Sequence, residues 1–170
     1  MPGSCASRAL TSVDLPAPEG AALEAMLVSR IDSMDVIVKR ITPLIPQVIS
    51  QFQQKAIERM QDALGLAGHG TPSTLTRQEA FERIRQEVTL YGIRIDVSEE
   101  LSRLTAHLTE TRHILKKGGQ VGKRLDFMMQ ELNREANTLG AKASVKELAD
   151  ASMELKLLIE QMREQVQNLE

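Results

Sequence analysis

The sequence predicts an all-α protein of long helices with coiled-coil-like seams, a helical bundle that also oligomerises. Two seams and one absence carry that expectation. Leu27, Ile31, Met34, Val38, Ile41, Ile45, Val48 and Phe52 follow one another at alternating steps of four and three, which lines them along one side of a helix. Leu148, Leu155, Met162 and Leu169 recur every seven residues, with Ala151, Leu158 or Ile159, and Val166 between them. No segment reads as a convincing strand, and no clear internal repeat is present.

Residues 1–18 are rich in Ser, Ala, Pro and Gly and lack periodicity, so a disordered tail is expected there. Residues 19–65 carry the first seam, interrupted by Pro43 and Pro46. Thr42 can cap a new helix with Pro43 at its first position, where the missing N–H costs little. A helical hairpin or one sharply kinked helix is therefore expected. Residues 66–75 form a linker by composition, and His69 within it has no second His or carboxylate nearby to hold a metal.

A second helical region is expected over residues 76–170. Thr76 and Glu79 make a capping box, and Phe81, Ile84, Val88 and Tyr91 follow at helical spacing. Gly92 is expected to stop that helix. IRIDV then reads as a short extended link, with Asp96 or Ser98 capping a helix that buries Leu101, Leu104, Leu108 and Leu115. KKGGQVG breaks the chain ahead of the helix LDFMMQELNREANTLGAKA.

The bulk composition narrows the functions open to such a bundle. The 170 residues carry a formal net charge of −2, which excludes a uniformly basic nucleic-acid coat. Phe52, Phe81, Tyr91 and Phe127 are the only aromatic side chains, so binding by stacking many successive bases is poorly supplied. Cys5 is the single cysteine, which leaves no disulfide framework and no Cys-based zinc site. No apolar run approaches a membrane span, and the first residues do not read as a secretory signal. The expected compartment is the cytoplasm.

Three groups of residues could carry chemistry. Glu100, Arg103 and His107 lie at steps of three and four and share one helix face. A glutamate near a histidine could hold the ring and raise its proton affinity for general acid/base work, or the three could simply be a surface ion-pair ladder. On the next helix, Leu125, Met128, Met129, Leu132, Ala136 and Leu139 fall in one arc. Asp126, Gln130, Asn133 and Asn137 form a ridge on another side, with Arg134 next to it and Glu131 and Glu135 beyond. Short amides cost helix stability, so this ridge is either a polar network between helices or a site.

The third group is basic. From Glu110 to Lys146, eight cations, among them Lys123, Arg124, Arg134 and Lys142, face four carboxylates, a local charge of about +4. GGQVGKR also leads into a helix N-terminus, where free N–H groups favour phosphate, though a solvated loop is the commoner arrangement. It is not a phosphate-binding Walker loop, because its glycines are too close and no Ser or Thr follows the lysine. Asp126, Glu131 and Glu135 raise the question of a Mg or Mn site, but Asp126 points away from the other two.

DVSEELSRLTAHL, GGQVGKRLDFMMQELNREANTLGAKA and LKLLIEQMREQVQNLE closely resemble the C-terminal region of the YicC/YloC family. The family pattern there reads roughly D-I/V-S-E-E-L-x-R-L-x-S-H, then G-x-x-G-R/K-K/R-L-D-F-x-x-Q-E-M-N-R-E-x-N-T-x-G-S-K-A, then I-x-x-I/M-R-E-Q-V-Q-N-I/V/L-E. The likeness is close from about Thr76 to Glu170 and looser over EGAALEAMLVSRIDSM and the helices after it. It implies a bacterial, metal-dependent endoribonuclease acting on single-stranded RNA, with a divalent cation (Mn or Mg) and a hexameric assembly. Glu100, Arg103 and His107 fall on the first motif and are the candidates for catalysis. Lys123, Arg124, Asn133, Arg134, Asn137 and Lys142 fall on the second as RNA-binding candidates, with Asp126, Glu131 and Glu135 as metal candidates. Ala106 and Ala141 stand where the pattern usually has Ser. The family also carries a strand-rich N-terminal domain, which this sequence replaces with its short tail. The alternative expectation is thus a non-catalytic RNA-binding and oligomerisation module lacking that domain.

Overall fold

The computed structural model describes residues 17–66 and 74–168, and its six elements are all α-helices. They are α1 (Ala17–Ile41), α2 (Leu44–Leu66), α3 (Thr74–Ile95), α4 (Ser98–Lys117), α5 (Gly122–Lys142) and α6 (Lys146–Gln167). The expected tail before Ala17, the linker histidine His69, Cys5 and Leu169 lie outside the described residues. The all-α class is what the seams implied.

Four helices make the bundle. α4, α5 and α6 run alternately up and down, and α1 lies against both α4 and α6. The apolar seam of α1 (Leu27, Ile31, Met34, Val38 and Ile41) is buried in this core. So are Leu148, Leu155 and Met162 of α6, together with Leu104, Leu108, Leu132 and Leu139. The α1 part of the first seam and the described part of the second therefore close within one chain, while Val48 and Phe52, the end of the first seam, are half-buried on α2. Each such side chain contributes about 2 kcal/mol by leaving water. Exposed ion pairs contribute at most about 1 kcal/mol, so packing holds the bundle and the charges set how its helices align.

Two of those charges fix α1. Arg112 of α4 pairs with Asp32 at 2.6 Å and also with Asp35, tying the end of α4 to the middle of α1. Burial opposes the charge on Arg112, but the two aspartates outweigh it and hold its pKa above the ordinary value. Arg40 reaches Glu154 of α6 at 3.0 Å.

α2 and α3 pack on each other as a hairpin that leaves the bundle. Phe52 and Tyr91 stack there with ring centroids 3.8 Å apart, beside an apolar groove of about 640 Å³ between the two helices. Leu90 and Ile93 on the same arm face solvent.

Several expected boundaries move. Thr42 does not cap α2: its hydroxyl donates to Val38 O at 2.6 Å, closing α1 instead, and α2 begins at Leu44. α3 starts at Thr74, so Thr76 lies inside the helix rather than at its cap. Gly92 does not end α3, which continues to Ile95 and leaves only Asp96 and Val97 as the link. Gly92 there meets only the far ends of Gln53 and Ile49 side chains. Gly118 and Gly119 do end α4, both at positive φ (67° and 87°), a conformation costly for any residue with a Cβ.

α5 and α6 lie close together at Gly140. Ser152 is buried and donates its hydroxyl to Ala136 O at 2.7 Å. A Cβ on Gly140 would lie 2.5 Å from Ser152 Oγ and 3.3 Å from its Cβ. Gly140→Ala is predicted to lower the unfolding free energy by about 1–3 kcal/mol in denaturant titration, since a packed helix pair must be forced apart. An unchanged midpoint would show that the two helices can separate without cost.

Candidate nucleic-acid interface

The antiparallel packing of α4 on α5 sets one register, and the charged residues reveal it. At the open end, Lys142 Nζ donates to Glu100 Oε1 at 2.6 Å. One turn along, Arg103 Nη1 lies 3.8 Å from Glu135 Oε1 and also pairs with Glu99. Near the other end, Arg124 approaches Glu110 at 3.7 Å. His107 stands one turn beyond Arg103 on α4, and Glu131 one turn before Glu135 on α5, so the same register sets them level. His107 and Glu131 are both half-buried.

The two carboxylates nearest the core are unusual in being buried, Glu100 at 3% and Glu135 at 4% exposure. A buried charge persists only when paired. Glu100 has Lys142 on one oxygen, while its Oε2 is buried without a hydrogen-bond partner. Beside this pair, Asp96 accepts from the backbone N–H and the hydroxyl of Ser98 at 2.9 and 2.6 Å. These bonds, the hydroxyl's above all, hold the Asp96 carboxyl below its ordinary pKa, with a smaller push from Lys142. Asp96 thus closes a local turn with Ser98, but neither residue is the expected cap: the N-cap position of α4 is Val97, which makes no side-chain cap hydrogen bond.

The seam gathers most of the sequence candidates but not all. Glu100, Arg103, His107, Arg124, Glu131, Glu135 and Lys142 share it. Lys123 and Arg134 stand on the outward side of α5, both exposed, with Arg134 4.0 Å from Glu131. Asn133 and Asn137 are exposed on the opposite flank; Asn133 lies two residues, about 200°, from Glu135. Asp126 shares their ridge and accepts a hydrogen bond from Gln130 at 3.0 Å. It is nine residues, about 13 Å along the helix, from Glu135.

Asp126, Glu131 and Glu135 consequently do not converge on one point. Among the described residues no group of three or more His, Cys, Asp or Glu is placed to hold a metal ion. Glu100 does not steer His107 either. Seven residues separate them, about 10 Å along α4, and Glu100 spends its bonded oxygen on Lys142. Lys142, expected among the RNA contacts, is the counter-ion of a buried glutamate. Glu99 and Glu110 were missed as seam members; Glu99 could have been found from its spacing of four to Arg103.

Residues 41–170 match the family model for the C-terminal region of YicC-like endoribonucleases. The chain belongs to the YicC-like family. It is 44% identical over 153 residues to a probable endoribonuclease YicC of Haemophilus influenzae, covering 89% of this chain and 49% of that protein. A probable endoribonuclease YicC of Clostridioides difficile is 28% identical over 157 residues, covering 92% of this chain and 50% of its own length. The chain spans about half the length of these curated YicC relatives. The YicC-like region includes the whole α4–α5 seam. No helix among the described residues is long and apolar enough to cross a membrane.

The Glu100–Lys142 pair tests whether the seam is structural at its open end. Lys142→Met leaves a buried carboxylate without its cation and is predicted to destabilise the chain by about 2–3 kcal/mol. Adding Glu100→Gln to that variant should restore most of the loss in thermal or urea unfolding. Equal stability of Lys142→Met and the wild type would show that Glu100 finds water or another donor.

Proposed function

We propose that the α4–α5 seam is the RNA-binding and endonucleolytic site of a YicC-type ribonuclease acting on single-stranded RNA in the cytoplasm. The observation that best supports the reading is that Arg103 and Glu135 meet across the seam, with His107 and Glu131 one turn from them on the same two helices, in the region where the chain matches its family. Phosphate contacts fall to the exposed cations Lys123 and Arg134 and to Arg124, which surround this seam on a chain that is acidic overall. α5 also begins without a side-chain cap, so its first N–H groups point outward beside Lys123.

His107 is the proton carrier of the proposal. Its imidazole takes the proton of the attacking oxygen as the new P–O bond forms; the bond to the leaving oxygen breaks, and that oxygen takes up a proton from water. Glu131 is the carboxylate placed to orient the ring, in the role first considered for Glu100. Arg103, held between Glu99 and Glu135, keeps a fixed positive charge next to the reacting phosphate. The divalent cation implied by the family likeness finds no shared ligand set in Asp126, Glu131 and Glu135.

Self-association belongs to the same proposal. The seam residues of α1 and α6 are buried within the chain, which leaves the apolar surface of the α2–α3 hairpin, with Leu90 and Ile93 exposed, for a second copy to cover.

Labelled single-stranded RNA incubated with the chain and Mn or Mg is predicted to be cut. His107→Ala should slow the cutting by about 10²- to 10⁴-fold with helical content unchanged by circular dichroism. Equal cutting by the variant would remove His107 from the mechanism. RNA bound by the wild type but left intact would leave the seam as a binding surface only.

A further inference from the structure

We infer that Phe127 is a stacking platform for an unpaired base of the bound strand, an inference that rests on the α4–α5 seam being an RNA site. Phe127 is on α5 and 58% exposed, although the core-facing arc of this helix is fully supplied by Leu125, Met128, Met129 and Leu132. The ring therefore adds nothing to the core and leaves apolar area in water. Phe52 and Tyr91 already stack on one another, and Phe81 sits on the distant hairpin.

What surrounds Phe127 identifies the class of ligand. Lys123 lies one turn before it and Arg134 two turns after it on the outward side of α5, with Arg124 at the edge of the α4–α5 seam. The acids nearby are Glu131, one turn after it and 4.0 Å from Arg134, Glu110 of α4, 3.7 Å from Arg124, and Asp126, which accepts from Gln130. A flat apolar face bordered by cations matches a nucleotide, whose base is a π-face and whose phosphates are anionic. A single ring at this position also agrees with the poverty of aromatics in the chain: one base is stacked, and the rest of the strand is held by charge.

The test uses the full chain and a single-stranded RNA oligonucleotide carrying 2-aminopurine, whose fluorescence is quenched on stacking. Wild type should bind and quench it. Phe127→Leu keeps an apolar side chain of similar bulk but has no ring. It should weaken binding by about 5- to 100-fold and lose the extra quenching, with the slope of affinity against salt unchanged. Phe127→Tyr should retain both. Equal affinity and quenching in Phe127→Leu would overturn the stacking role while leaving RNA binding at the seam intact. A change in mass by light scattering without a change in RNA affinity would overturn it too, because the ring would then serve contact between copies. No RNA binding by the wild type, even at low salt, would overturn this inference together with the reading it rests on.

Discussion

The carboxylate of Glu100 lies almost wholly out of water, and much of the seam follows from how that charge is held. An unpaired ion there would cost several kcal/mol, so Lys142 must come to it from the far end of the next helix. Once those two residues are level, α4 and α5 have one register. Arg103 then meets Glu135, His107 and Glu131 are set level, and Arg124 approaches Glu110. The second oxygen of Glu100, buried without a partner, marks how little slack the arrangement has.

Packing makes this economy possible. The bundle of α1, α4, α5 and α6 buries about two dozen apolar side chains, which together outweigh anything the charges contribute. The charges are thus free to serve alignment on one flank, while Lys123 and Arg134 stay exposed on the outward side. Gly140 and Ser152 show the same division on the other flank of α5, where a missing side chain lets α6 come close. α5 is gripped on both sides, and its outward face keeps Lys123, Phe127 and Arg134 in fixed relation.

The helices were legible because burial alone dictates their periodicity: the steps of four and three in α1 and the sevens in α6 describe the observed core. Boundaries were less so. Thr42 looked like a cap for the helix after it, but its hydroxyl donates back to Val38 O; whether it accepts from the next helix or donates to the last is a choice that spacing does not reveal. For the site, a helical wheel groups residues on one helix but does not say which neighbour they meet. It grouped Glu100, Arg103 and His107 correctly on a face. It could not show that Glu100 belongs to Lys142, a partner 42 residues away. Nor could it show that Asn133 and Asn137 lie on the flank away from the seam. The family motif supplied what periodicity could not, marking both helices as one signature.

The central claim is that RNA meets this chain along the α4–α5 seam. Its most direct test is a titration of the isotopically labelled chain with single-stranded RNA, followed by amide chemical shifts. The account predicts shifts concentrated in residues 99–110 of α4 and 122–142 of α5, saturating together and weakening as salt is raised. Shifts confined to α2 and α3, or spread evenly over the bundle, would contradict it.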